Sequence, residues 1–221
     1  MIDEECALMV FTKAPVPGKV KTRLIPSIGE AAAADLYKSL ILRTLRTACS
    51  SNMGSIQLWC HDNLDHPFVL KCCKDFPVEL HSQQGSNLGE RMYHAIKEAL
   101  GHAGYALVIG CDCPELSLSD IHTACRKLRG EHDVVLGPCE DGGYYLIGAK
   151  SVDEGIFNGI EWGSATVLSD TRQRMQALGM NWCELREHWD LDCPADLFRY
   201  QTLVSCSSQL PVIDRFDVSG F

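Results

Sequence analysis

Nowhere does this chain hold an apolar run approaching the roughly 20 residues that cross a bilayer as a helix, so no helical membrane span is expected. Its first residues, MIDEECALMVF, are acidic where a secretory leader is basic, and the expected location is cytoplasmic. Positive charge is scarce: 20 Lys and Arg against 29 Asp and Glu leave a net charge of -9, which argues against nucleic acid or an anionic membrane as partner. The Walker A spacing G-x-x-x-x-G-K-[ST] is missing, since the one basic stretch offers only Gly18, and so is the G-x-G-x-x-G dinucleotide fingerprint. Paired C-x2-C motifs are missing too: among 12 cysteines, Cys72-Cys73 and Cys111-x-Cys113 lack the spacing of a structural zinc site. Disulfide frameworks belong to small secreted domains without a core, whereas 221 residues at 46% hydrophobic can bury one, so reduced, buried thiols are expected. There is no internal repeat, low-complexity segment or linker.

What the chain does contain is an alternation of short apolar runs with helical periods, the pattern of an α/β protein with a mostly parallel sheet flanked by helices. Strands are expected at ALMVFT (7–12), SIQLWC (55–60), VELHS (78–82), YALVIG (105–110), DVVLGP (133–138), YYLIGA (144–149) and near NWCELRE. Between them helices are expected over about 29–48, over FVLKCCKDF, after a cap at Ser86 or Asn87, after Ser117 or Ser119, over SATVLSDTRQRMQAL, and from about Pro194 to 204. Leu88, Met92, Ala95, Ile96 and Leu100 fall on one side of the third helix; Val167, Leu168, Thr171, Met175 and Leu178 point inward from the fifth. One domain over 1–204 is expected, with a tail over 205–221 where the pattern is lost.

In open α/β sheets ligands sit beyond the carboxyl ends of the strands, so polar residues directly after an apolar run are the candidates. The stretch KAPVPGKVKTRL leaves the first strand carrying Lys13, Gly18, Lys19, Lys21 and Arg23, stiffened by Pro15 and Pro17. It is either a phosphate-binding loop or a solvated basic turn. Asp112 lies just beyond YALVIG, where a carboxylate is costly to desolvate without a cationic partner; it is a ligand for a hard ion such as Mg2+ or Mn2+, or a helix cap. Asp141, Gly142 and Gly143 form a plain turn or border a pocket where backbone approaches substrate. Asp190, Asp192 and Asp196 follow the last strand; Asp192 either caps the final helix or supplies a second carboxylate to a metal. A basic loop facing strand-end carboxylates suits a phosphorylated ligand bridged by a divalent cation.

FTKAPVPGKVKTRL, SNLGERM, GCDCPEL, GPCEDGGYYLIG, IEW and DLDCPADL, in that order over roughly residues 7–198, resemble the uncharacterised GT-A-like glycosyltransferase family of the DUF2064 type, related to the nucleotide-diphospho-sugar transferases. The resemblance implies a single GT-A domain, Rossmann-like, and kinship with guanylyl- and cytidylyltransferases that use Mg2+. It further implies that Lys13, Gly18, Lys19, Lys21, Arg23 and Arg91 meet the nucleotide and its phosphates, with Lys21, Asp112 and Asp141 at the reacting centre. Metal falls to Asp112 with Asp190 or Asp192, and substrate to Asp141, Gly142, Gly143 and Trp162. After Trp162 the family usually has Ser-Thr where this chain has Gly163-Ser164, which leaves the acceptor in question. The implied activity is transfer of a sugar from a nucleotide-diphospho-sugar to a small acceptor. The alternatives are nucleotidyl transfer with release of pyrophosphate, or a non-catalytic nucleotide-binding scaffold.

Overall fold

The computed structural model describes residues 3–206, so the tail expected over 205–221 lies almost wholly outside the described residues. Seven strands form one sheet: β1 (Asp3–Thr12), β2 (Met53–Cys60), β3 (Glu79–Ser82), β4 (Tyr105–Gly110), β5 (Val134–Pro138), β6 (Tyr144–Ala149) and β7 (Trp182–Glu184). The helices are α1 (Ile25–Cys49), α2 (Pro67–Asp75), α3 (Leu88–Ala99), α4 (Leu118–Arg129), α5 (Val167–Ala177) and α6 (Pro194–Cys206). The sheet order is β3-β2-β1-β4-β6-β5-β7. β6 runs antiparallel to both its neighbours, and the other pairs are parallel. The α/β class and the mostly parallel sheet are therefore as expected.

Strand side chains alternate between the two faces of a sheet, and β1 shows what that does here. Leu8 and Val10 pack with Ile41 and Leu45 of α1 and with Ile121 and Leu128 of α4. Their alternates Ala7, Met9 and Phe11 pack on the opposite face with Met92, Ala95 and Ile96 of α3 and Met175 of α5. A third cluster joins Leu36 and Leu40 of α1 to Trp189, Leu191 and Tyr200, and so fixes the chain entering α6.

α3 and α4 start where a side chain can satisfy a free amide. Asn87 accepts from the Glu90 amide at the start of α3, and Ser117 forms a capping box with Asp120 at the start of α4. α1 begins four residues before the expected Gly29, and Gly29 itself is non-helical at φ 78°, ψ 163°, breaking off the first turn. Only glycine takes that conformation cheaply. Two expected inward residues are turned out: Leu88 and Leu178 are each 42% exposed, one in the first turn of α3 and the other just past the end of α5, where a helix leaves the sheet.

Register places the ends of the parallel strands together. Thr12 lies opposite Cys60, Cys60 opposite Ser82, and Phe11 opposite Gly110. The loops that follow all open on one edge, and strand order reverses there between β1 and β4, the place where α/β sheets bind ligands. The eleven cysteines at 6–193 are free thiols, seven of them buried. Among the described residues no helix is long and apolar enough to cross a membrane.

Candidate active site

The basic stretch after β1 is held as a rigid arch. Tyr37 of α1 receives a hydrogen bond from the Lys13 amide at 3.2 Å and lies 3.2 Å from the Thr12 hydroxyl. The Ala14 amide donates to Asp62 at 3.0 Å, and Ala14, Val20 and Leu24 are buried anchors. The Gln83 amide nitrogen donates to the Thr12 and Trp59 carbonyls at 3.1 and 2.8 Å, fixing the corner where β1, β2 and β3 end. Gln83 and Tyr37 were not singled out by sequence, because each works through a contact distant along the chain.

Within this arch the cations divide. Lys13, Lys19 and Arg23 are exposed and line a 220 Å³ hollow. Lys21 instead turns inward, its side chain only 3% exposed. Its ammonium contacts Asp112, and it donates to Asp192 and to the Leu191 carbonyl, each at 2.7 Å. Burial alone would lower the pKa of this lysine, but the two carboxylates outweigh burial and hold it well above the usual value. Lys21, expected to meet phosphate alongside Arg23, thus faces three protein oxygens, while Lys13, Lys19 and Arg23 face solvent. Gly18, at φ 81°, makes the turn that lets Lys19 and Lys21 diverge.

The carboxylates come from three turns. Asp112 follows β4, where its carbonyl accepts from the Leu191 amide at 2.8 Å, and Ser117, not Asp112, caps the helix beyond. Asp141 sits in the β5–β6 turn and accepts from the Gly143 amide at 2.9 Å. Asp190 and Asp192 lie in the segment before α6, whose first-turn Asp196 bonds the amides of 192 and 193, so that Asp192 is left for Lys21 and is no cap. Asp190 Oδ1 is buried without a hydrogen-bond partner, and its neighbours Asp112 and Asp141 add repulsion to its burial, raising its pKa to about 7. One ligand atom each from Asp190, Asp141 and Cys139 lie within 4.8 Å of one another. Of the two carboxylates proposed beside Asp112, Asp190 has the free oxygen.

Asp112, Asp141 and Asp190 line a 320 Å³ cavity that also takes in Lys13, Arg91, Gly143 and Trp162. The basic arch and the acidic floor thus share one cleft. Arg91 donates to the Gly85 carbonyl through Nε at 3.1 Å. The Trp162 ring covers Gly89, where a Cβ would come within 2.4 Å of it, so Gly89 is what lets this wall close. Gly142 is not in the lining: a Cβ there would lie 2.0 Å from the Ala165 carbonyl oxygen, so its close approach is to the protein's own backbone rather than to a substrate. Ser164, in the departure from the usual Ser-Thr, lines the cavity and pairs with the Thr166 hydroxyl at 3.0 Å.

Behind the floor, His188 is 1% exposed between Glu115 at 3.1 Å and Asp120 at 3.2 Å. Burial lowers its pKa, Asp120 and Glu115 raise it more, and the net shift is upward. A folded-state pKa above the unfolded one gives stability that is complete below about 6.5 and lost as pH rises through the folded value. The wild-type melting temperature is therefore expected to fall as pH rises above about 6.5, and His188→Gln to flatten that slope. Parallel slopes for the two proteins in pH-resolved melts would remove His188 from this account.

No curated protein matches the chain. Among solved structures, a candidate nucleotide-diphospho-sugar transferase from Desulfovibrio desulfuricans G20 aligns at a TM-score of 0.86 with 31% identity, covering 96% of this chain and 93% of that one. A cytidylyltransferase from Leptospira borgpetersenii aligns at 0.61 with 14% identity, over 96% and 90% of the two chains. Glucosyl-3-phosphoglycerate synthase from Mycobacterium tuberculosis, in complex with Mn2+, UDP and glucosyl-3-phosphoglycerate, aligns at 0.55 with 8% identity, over 90% and 76%. The last two likenesses are of fold, and that fold is the GT-A fold of nucleotide-utilising transferases. The sequence profile of the family described as uncharacterized protein conserved in bacteria (DUF2064) matches residues 44–164, more than half of the chain, and the chain belongs to that family.

Proposed function

We propose that the protein is a divalent-metal-dependent glycosyltransferase that moves a sugar from a nucleotide-diphospho-sugar to a small acceptor. The observation that carries this reading is the orphaned, buried oxygen of Asp190, in a cavity that also holds Asp112 and Asp141 and opens beside Lys13 and Arg91. Three carboxylates in one cavity repel, which a proton on Asp190 or a cation among them relieves, and oxygen donors of this kind suit Mg2+ or Mn2+. The donor set therefore fits the ion, with Asp112 and Asp190 holding it; bound there, it supplies neutralising charge to the departing diphosphate.

The protein's own groups do the rest. Lys13, Lys19, Arg23 and Arg91 bind and orient the phosphates, and Lys21 fixes Asp112 and Asp192 from behind. Asp141, aligned by its bond to the Gly143 amide, receives the acceptor hydroxyl with its remaining oxygen. Trp162 and Ser164 wall the acceptor end and keep water out. The manganese and UDP of the M. tuberculosis glucosyl-3-phosphoglycerate synthase complex support a metal-bridged nucleoside diphosphate on this fold.

A second reading, nucleotidyl transfer to a phosphorylated small molecule, is favoured by the higher TM-score of the cytidylyltransferase. Both need the same cations, so the released product separates them. Incubation with candidate donors, Mn2+ and an acceptor mixture is expected to release nucleoside diphosphate from a sugar nucleotide. Pyrophosphate from a nucleoside triphosphate would decide for the second reading, and neither product would refute both.

A further inference from the structure

The Lys21 ammonium has three hydrogens and three oxygens around it: Asp112 Oδ1, Asp192 Oδ1 and the Leu191 carbonyl. It is nearly inaccessible, 3% exposed, and its backbone is left-handed at φ 48°, ψ 42°, a conformation disfavoured for lysine. Two carboxylate oxygens and a carbonyl oxygen about one point are also the donors that a hard divalent cation takes. The lysine does not fill the other place for a cation, because Asp190 Oδ1, on the cavity side of Asp112, stays buried and unpartnered.

We infer that Lys21 is a built-in second cation, its ammonium plugging a three-oxygen site that a divalent ion would otherwise fill. The inference rests on the metal-dependent reading above. Reactions at diphosphates place charge on two sides of the reacting centre, and paired metal ions are one way to meet it. An ion held by Asp112 and Asp190 would stand next to an ammonium that is fixed in place before any ligand arrives. Lys21 is in this account a positioning residue, with no hydrogen left for a phosphate. It also ties the basic arch to the segment carrying Asp190 and Asp192, which explains why a strained backbone is kept at this position.

The test counts Mn2+ bound to the full chain, with Mn2+ alone as the probe and the free ion followed by electron paramagnetic resonance. Lys21→Ala is expected to bind one more ion than the wild type, and Lys21→Ala with Asp192→Ala to return to the wild-type count. Mn2+ should also raise the melting temperature of Lys21→Ala more than that of the wild type, since the extra ion binds only the folded state. Because alanine is itself strained at φ 48°, Lys21→Gly, which takes that backbone freely and leaves the same three oxygens open, is melted alongside and should show the same larger rise. An unchanged ion count with no extra melting rise in either variant overturns the inference. A wild type that binds no Mn2+ counts against the metal-dependent reading instead, whereas the plug is judged only by the difference between variant and wild type.

Discussion

Asp112→Ala is expected to weaken Mn2+-dependent nucleotide binding by at least about 100-fold while the protein stays folded. The size follows from position: Asp112 is the carboxylate shared between Lys21 and the cavity that holds Asp190 and Asp141. Loss of groups merely behind a metal ligand already costs 10- to 100-fold in comparable sites, and a ligand itself should cost no less. The fold survives for two reasons. The bond from the Leu191 amide is to the Asp112 backbone carbonyl, which alanine retains, and Lys21 keeps Asp192 and the Leu191 carbonyl as partners. Calorimetric titration of nucleotide with and without Mn2+ measures the effect; an affinity that does not change would take Asp112 out of the site.

Gly142→Ala should give the largest loss of stability, roughly 2–4 kcal/mol. Two costs add. At φ 86° alanine is strained in the left-handed region, and its Cβ would sit 2.0 Å from the oxygen and 2.7 Å from the carbonyl carbon of Ala165. Those atoms are backbone and cannot swing aside, and the Gly142 carbonyl accepts from the Leu168 amide at 2.8 Å, so the start of α5 must shift too. For a chain of this length the loss corresponds to a fall in melting temperature of about 5–15 °C. Gly143→Ala should do less, because its Cβ would meet only the Asp141 side chain, at 3.2 Å. Should the Gly142 variant melt within about 2 °C of wild type, the close packing of the two turns is not what holds this corner.

Much of the site was legible in the sequence because of where polar residues follow apolar runs. Asp112 after YALVIG and the lysines after ALMVFT were placed by the rule that strand ends meet the ligand, and register brings those ends level. Arg91 and Trp162, drawn from the resemblance, also line the cavity. What sequence could not apportion was partnership. Lys21 and Asp192 are 171 positions apart, and nothing local says that this lysine turns inward while Arg23 turns out. Gly142 reads equally as a turn or as a substrate contact until Ala165 is seen against it. His188, Gln83 and Tyr37 gave no signal, since a buried histidine or tyrosine takes its role from groups brought up by other elements.

By itself the sequence determined the order and type of the elements and the chemical inventory of the cleft, and it narrowed the caps of α3 and α4 to Ser86 or Asn87 and to Ser117 or Ser119. Those properties come from periods of two and 3.6 residues and from side-chain bonds within a turn, which need no distant neighbour. The tertiary structure alone decided that β6 enters antiparallel between β4 and β5, that Asp190 keeps a free oxygen, and that the Lys21 ammonium is spent on Asp112 and Asp192. Charges pair by distance in space and by the water removed between them, and neither quantity exists until the sheet has brought its strand ends together.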